Sequence, residues 1–558
     1  MSRTKVQKPA EIKVAPNLRS RNIVETICSY GITILSFIVF GFIAVMTFLE
    51  TSVIDPANFG GEHILFNKDD IAMNIFLVGS FFLIAYGLSK FGNVFLKVND
   101  FFLIAGLVVY TVTFGFIWIF MTQSIPSADS GTVYNTAVQV VNGDFSSFHS
   151  SNNDFYNNIS YYQIYPFQLG FVFISEIVYS IFGTETAMPM QVFNVLALAA
   201  MYVGLLLISK KLFNKKAVTF ITTFMLAGCI QPIFFCSFTY GNIIGLSSAV
   251  WAIYFIICFM QSKEKKAPLM LIPAALLITF SVIAKYNNMI WLLAIAIGMV
   301  IYVIREKKWI HLASTALIVL IAVGGFNLVI ISYESRSGVD LADGVSQTLY
   351  LRDGISESNM APGWYNDKGK SDYIESNCNN EVANEKAKAD IDARLEKFSN
   401  DTPYRNKFFR EKILSQWNEP SYECLWVSQV KTHYNGEVEN DTLLYSIYNG
   451  NWNKFLYDYF DYFAMISFIL FTVAMVSLIK RKCSAEMIIL LTGLMGGFLY
   501  HLLFEGKSQY ILTYFIIVVF FASYGLYVCV RPRSFKESKS KIGTLFNKGI
   551  EKVESLTR

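Results

Sequence analysis

Charge is the scarcest resource in this chain: only 16% of its 558 residues are Asp, Glu, Lys or Arg. Soluble domains usually carry about 25%, so a fully water-facing surface is excluded for most of its length. Histidine is also rare. The five residues His63, His149, His311, His433 and His501 are scattered, and neither they nor the cysteines show metal-ligand spacing. No Gly-rich phosphate loop is present, which leaves out the common nucleotide-binding motifs. The formal net charge of +4 gives no argument for nucleic acid as a partner. Of the eight cysteines, Cys28, Cys229, Cys236, Cys258, Cys483 and Cys529 lie in or beside apolar runs, where they read as small hydrophobes. Cys378 and Cys424 share one polar segment, and whether they form a disulfide is left open. There is no internal repeat.

What the chain has in abundance is apolar and aromatic residues: 54% hydrophobic, with 49 Phe and 31 Tyr. Runs of about 20 apolar residues match a hydrocarbon core about 30 Å thick. The first, Ile27–Leu49, is too long for a signal-peptide core and reads as a retained helix. Others follow at Ile71–Leu88, Phe101–Met121, Val192–Ile208, Val218–Phe235, Ile243–Met260, Leu269–Ala284, Met289–Ile304, Leu312–Ile331, Phe463–Ile479, Met487–Phe504 and Tyr510–Val530. The expectation is an all-α polytopic membrane protein of about twelve spans.

Phe167–Phe182 is apolar but contains Glu176, and at 1.5 Å per residue it reaches only about 24 Å. Lysine and arginine favour the cytoplasmic side of short loops. Basic clusters at Lys210/Lys211/Lys215/Lys216, Lys263/Lys265/Lys266, Arg305/Lys307/Lys308, Lys480/Arg481/Lys482 and from Arg531 onward agree on one side only if Phe167–Phe182 does not span. It therefore reads as a juxtamembrane helix, with both termini cytoplasmic. The chain then divides into a basic tail (1–26), N-terminal spans (27–121), a first external loop (122–191), a membrane core (192–331), a large external loop (332–462), C-terminal spans (463–530) and a basic tail (531–558).

The first external loop contains no Lys or Arg. The second holds 14 basic and 22 acidic residues and is acidic overall. Within it, Glu381–Phe398 and the segment around Phe408, Phe409, Ile413, Leu414 and Trp417 have helical patterning. Asp129 opens the first loop just beyond the third span. It precedes a predicted helix over Thr132–Val141, so it reads as either a helix cap or a catalytic carboxylate. Lys285 stands at the junction of two apolar runs, either snorkelling or holding an anion. Glu505-Gly506-Lys507-Ser508-Gln509-Tyr510 joins the last two spans. The large loop carries Arg352-Asp353-Gly354 and Gly363-Trp364-Tyr365-Asn366, whose aromatics and Asn suit sugar recognition or loop packing.

The series of Asp129 after a span, a short helix, Gly143-Asp144, the Tyr165-Pro166 entry and an amphipathic helix ending at Phe182-Gly183 resembles the first external loop of GT-C membrane glycosyltransferases. That superfamily includes protein O-mannosyltransferases and aminoarabinose transferases. Lys285 at a helix break and Lys507-x-x-Tyr510, with Lys where Arg is more usual, add to the resemblance. The Gly-Trp-Tyr-Asn stretch resembles bacterial membrane glycosyltransferases of surface polymers. The two spans before Asp129 depart from simpler members, in which the acidic loop follows the first helix.

The resemblance implies sugar transfer from a polyprenyl phosphate to a cell-surface glycan or related acceptor, outside a bacterial plasma membrane. Asp129 would be the base and Asp154 a second acidic candidate. Lys285, Lys507 and Tyr510 would bind the donor phosphate, and Arg352, Trp364, Tyr365, Asn366 and Glu505 would contact substrate. No cofactor is assigned, and a divalent ion in the acidic loop is left open. The competing readings are a polysaccharide polymerase or ligase of another membrane-enzyme class, and a transporter or flippase of lipid-linked oligosaccharides.

Overall fold

The computed structural model describes residues 22–149, 159–429 and 442–530. Eleven of its helices are long and apolar enough to cross a membrane, and a bent helix pair makes a twelfth. The protein is an all-α polytopic membrane protein apart, among the described residues, from one hairpin, Glu50–Ile54 paired antiparallel with Ile64–Lys68. That hairpin, between the first two spans, is an addition to the expected all-α fold. Its first strand is rich in β-branched residues (Thr51, Val53, Ile54), which suit a pleated surface.

The segment read as juxtamembrane is a 14-residue helix, Leu169–Phe182, entered through a turn at Pro166–Gln168. Leu169, Val172, Ile174 and Val178 are buried, while Ile177, Ile181 and Phe182 are exposed. Glu176, the charge inside this apolar stretch, is paired. It accepts from Arg336 at 2.6 Å and from the Tyr333 hydroxyl at 2.6 Å, both on the helix Ile310–Ser337.

The run Val218–Phe235, expected as one continuous span, is broken. Lys216–Gly228 and Gln231–Ser237 meet at 49°. Pro232 stands in the first turn of the second piece; it has no N–H and disfavours helical backbone at the residue before it. A break within apolar surroundings exposes carbonyls that need partners. Three tyrosine hydroxyls supply them: Tyr110 to the Ala227 carbonyl at 3.0 Å, Tyr459 to Gly228 at 2.7 Å and Tyr202 to Cys229 at 3.3 Å.

The helix ends sort into two sets. At one end, Arg305 bonds to Glu25 at 3.3 Å and lies 3.8 Å from Glu486, joining three helices, and Lys210 meets Asp100 at 2.7 Å. The other end carries the hairpin, the first loop and the large loop. The large loop is mostly helical, as expected, with helices Gln347–Gly354, Lys368–Glu375, Asn380–Asn400 and Thr402–Trp417. Asn379 and Asp401 cap the last two by accepting from Glu381 and Tyr404 amides, each at 2.9 Å. Phe398 and Phe408 then pack with ring centroids 5.2 Å apart, folding the two helices together.

Backbone bonds fasten this loop to the membrane body: Ser52 to Asn418 at 3.1 Å, Ile64 to Met360 at 3.0 Å, and Gly506 to Gly363 at 3.2 Å. No disulfide joins Cys378 to Cys424; Cys424 is fully buried and Cys378 only partly so.

Candidate active site

Asp129 lies in the first turn of the helix Ala128–Val141, one turn earlier than expected, and Ser127 holds the capping position. The carboxylate therefore does not cap the helix from outside, although its charge suits the positive helix start. Its Oδ2 accepts from the Tyr240 hydroxyl at 3.2 Å, and Gln168 donates to that same hydroxyl. The chain Gln168, Tyr240, Asp129 orients an exposed carboxylate from the first loop and from the turn before Asn242–Gln261.

Lys285 is the residue after helix Leu271–Ala284 and precedes the short turn Tyr286–Asn288. Its ammonium sits 3.5 Å above the Tyr240 ring and 5.9 Å from the Tyr510 ring centroid. Two glycines permit this meeting. Gly241 has φ +80°, and a Cβ there would come within 2.0 Å of the Ala284 carbonyl oxygen. A Cβ on Gly170 would come within 2.1 Å of the Ile283 carbonyl oxygen. The first-loop helix and the Gly241 turn thus press onto the backbone immediately before Lys285. Asp129 and Lys285 consequently meet the same residue, Tyr240, one at its hydroxyl and the other over its ring.

The Glu505–Tyr510 junction closes the far side. Glu505 is held by its amide bonding to the Tyr350 carbonyl at 3.1 Å. Burial pushes its carboxyl up to about 7. Asp353 and Asp129 push the same way, while Lys507 and Lys412 oppose them. Lys507 is buried and spans both oxygens of Glu62, at 2.8 and 2.7 Å. Burial works against the charge on Lys507, but Glu62 and then Glu423 outweigh it and raise its pKa. Glu423, fully buried, accepts from Ser508 Oγ at 2.8 Å and from the Gln509 amide at 3.1 Å. Lys412 donates to the Phe504 carbonyl at 2.9 Å and to Gly354, and burial lowers its pKa to about 7.

The large-loop candidates divide. Arg352 is 1% exposed and engaged by Asp353 at 2.9 Å, by Asp372, and by Asp390 at 3.4 Å. Trp364 is fully buried and donates to Ser415 at 2.9 Å. Arg352 is thus held inside the loop, whereas Trp364 packs onto the membrane body with its ring centroid 6.0 Å from the Lys507 ammonium. Tyr365 and Asn366 are half-buried; Tyr365 donates to Asp367, and its neighbours include Glu505 and Tyr165. Asp154 lies outside the described residues.

The site thus brings Asp129, Lys285, Tyr510 and Glu505 together, sets Trp364 beside Lys507 and leaves Arg352 inside the loop. Tyr240 and Glu62 were not singled out by sequence reasoning. Tyr240 follows Phe238-Thr239 in an apolar context that reads as an aromatic belt. Glu62 sits in a short polar turn between two spans with no motif around it. Among the described residues, no group of three or more His, Cys, Asp or Glu side chains is arranged to hold a metal ion.

No protein-family profile and no curated protein matches the chain. Among solved structures it is similar to ArnT from Cupriavidus metallidurans bound to undecaprenyl phosphate. The identity is 10% and the TM-score 0.31, over 75% of this chain and 77% of that one.

Proposed function

We propose that this protein is a GT-C-like membrane glycosyltransferase that moves a sugar from a polyprenyl phosphate to a hydroxyl of a surface glycan or related acceptor. The observation that carries the reading is the meeting of an exposed carboxylate and an ammonium on one residue, Tyr240, at its hydroxyl and over its ring, at the loop-bearing end of the helices. By the distribution of lysines this end is extracytoplasmic, in a plasma membrane that we take to be bacterial.

In the proposed step Asp129 accepts the proton of the acceptor hydroxyl as its oxygen bonds to the anomeric carbon. The bond from that carbon to the phosphate oxygen breaks, and its electron pair leaves with the lipid phosphate. One displacement inverts the anomeric centre. Tyr240 and Gln168 hold the carboxylate in place. Lys285 faces the growing negative charge on the leaving phosphate, where a fixed cation stabilises the charge as it develops. Tyr510 contributes the ring beside it.

Lys507 is committed to Glu62, so a phosphate would reach it only by displacing that carboxylate. The phosphate is assigned to Lys285 for its place beside the Asp129–Tyr240 pair and the Tyr510 ring. Glu505, Tyr365 and Asn366 form the wall nearest the large loop and are proposed to contact the sugar or acceptor.

The test is a transfer assay on the purified full chain with a panel of polyprenyl-phosphate sugars, reading the release of polyprenyl phosphate. Asp129→Asn keeps the size and the bond from Tyr240 but loses the proton acceptor. It should fold, bind donor and turn over at least about 100-fold more slowly, the lower range for lost general-base assistance. Turnover near the wild-type rate in that variant would remove Asp129 from the role. Absence of donor cleavage across the panel by the wild type would remove the reading itself.

A further inference from the structure

The lysine-bearing end contains a concave site, away from Asp129. A cleft of about 430 Å³ opens there, lined by Lys97, Asp100, Lys210, Lys215, Lys216 and Thr219. It forms where helix Met188–Phe213 ends and the chain reverses through Asn214, whose φ of +47° is tolerated by a short polar side chain. Lys215 and Lys216 follow immediately, at the start of helix Lys216–Gly228. The opposite wall comes from Lys97 and from Asp100, which opens helix Asp100–Thr122.

Segregation of lysines to one membrane face accounts for their presence at helix ends. It does not account for four of them converging on one hollow, with Asp100 the only lining carboxylate among the described residues. Asp100 is already met by Lys210 at 2.7 Å, so Lys97, Lys215 and Lys216 face the hollow in excess.

Two further observations point to an anion. The helix Lys216–Gly228 begins at the cleft with no side-chain cap on its first amides, so its positive end faces the hollow. Thr219, one turn on, is 2% exposed, yet its hydroxyl finds no hydrogen-bond partner among the described residues. A buried hydroxyl left without a partner is costly, and an oxyanion suits this hydroxyl, the three lysines and the helix start; Asp100 Oδ1 also lacks a hydrogen-bond partner among the described residues, and Lys210 on the same carboxylate offsets its charge.

The surroundings select its source. Phe95 stacks on Phe220 at 5.6 Å and Phe220 meets Phe224 at 4.7 Å, making an aromatic flank on the two segments that wall the cleft. Phe91, Phe101, Phe102 and Phe224 on those same segments are exposed. We propose that the cleft binds the phosphate of an anionic lipid headgroup, with the acyl chains lying along these exposed aromatics. Basic pockets between spans on the lysine-rich side are suited to such headgroups. The inference rests on the membrane-spanning fold and is independent of the chemistry assigned to Asp129.

Native mass spectrometry of the full chain from nanodiscs of mixed phosphatidylcholine and phosphatidylglycerol tests this. The wild type should retain phosphatidylglycerol in preference to phosphatidylcholine. The triple variant Lys97→Gln/Lys215→Gln/Lys216→Gln should lose that retention at least about tenfold, since each near-surface lysine contributes roughly a fivefold factor. Thr219→Val, which keeps shape and charge, should lower it roughly threefold, so the test survives if the triple variant fails to insert. A control at the neighbouring cluster, Lys263→Gln/Lys265→Gln/Lys266→Gln, should retain lipid as the wild type does. Equal loss in the control, or no loss in Thr219→Val, would overturn a specific site. Displacement of the lipid by millimolar inorganic phosphate would assign the cleft to a free anion and overturn the lipid.

Discussion

Lys285 joins two independent constraints: the helix end at which it stands and the ring of Tyr240 beneath its ammonium. Replacing it with Gln should leave the fold intact, because a cation over one ring contributes only about 0.5–2 kcal/mol. Donor binding should suffer more. A lost charge-assisted contact costs roughly 1.5–3 kcal/mol, so donor titrations should shift by about 10- to 150-fold in KM; an unshifted titration would remove Lys285 from the phosphate. Glu505 offers a pH readout. Its folded pKa, near 7, lies above the ordinary 4.5, so the folded state binds more protons between those values. Its contribution to stability is therefore greatest below about pH 4.5, falls as pH rises to about 7 and is flat beyond. Glu505→Gln should melt higher than the wild type at pH 8, with the gap closing toward pH 5 in thermal scans in one detergent. A gap independent of pH would mean that Glu505 is not held in this state. Asp129 and Lys285 were legible in the sequence because each adjoins the end of an apolar run, where a charge stands out. Tyr240 was not, because one tyrosine among many near a membrane surface carries no distinguishing local pattern.

At the scale of elements, the hairpin was invisible as a hairpin but decides where Lys507 points. Lys507 reads in sequence as a cation available to phosphate, yet its partner lies 445 residues away, in the turn of the hairpin. No local pattern reports such a contact. Breaking a buried pair by removing one member leaves an uncompensated charge and costs about 3–5 kcal/mol, whereas replacing both members is often nearly neutral. Lys507→Met and Glu62→Gln should each lower the melting temperature sharply, and the double variant should recover part of the loss, the remainder reflecting buried Glu423, which also faces Lys507. Simple additivity of the two losses would show that the pair is not coupled. Donor KM supplies a second readout: a rise in Lys507→Met that persists in the refolded, stable double variant would return Lys507 to the phosphate. The broken span teaches the same lesson in reverse. Pro232 was in plain view within Val218–Phe235, but the tyrosines that make its break tolerable come from three other helices. Hydropathy gave the length of the run and could not report the partners.

For the whole molecule, the lysine clusters and the packing are separate lines of inference, and they agree. The rule that places lysines on the cytoplasmic side uses only short-loop charge. It puts the hairpin, Asp129, Tyr240, Lys285, Glu505 and Lys507 on one side, and these are the residues that contact one another. It puts Glu25, Arg305 and Glu486 on the other, and these also meet. A single extra crossing by Leu169–Phe182 would place the basic residues Lys210–Lys216 and everything after them on the wrong side of that partition. Glu176 is bound instead to Arg336 and Tyr333 at the loop-bearing end, and the helix has 14 residues against the about 20 needed to span. The expected outcome is therefore a labelling pattern. In a background where the exposed Cys529 and half-buried Cys378 are serine, single cysteines at the exposed positions Asp129 and Asp367 should react with a membrane-impermeant maleimide in intact cells. Cysteines at the exposed positions Lys215 and Lys265 should react only after the cells are opened. Reaction of the Lys215 position from outside would require Leu169–Phe182 to span. It would also separate Asp129 from the large loop across the bilayer, and the proposed site would be lost with it.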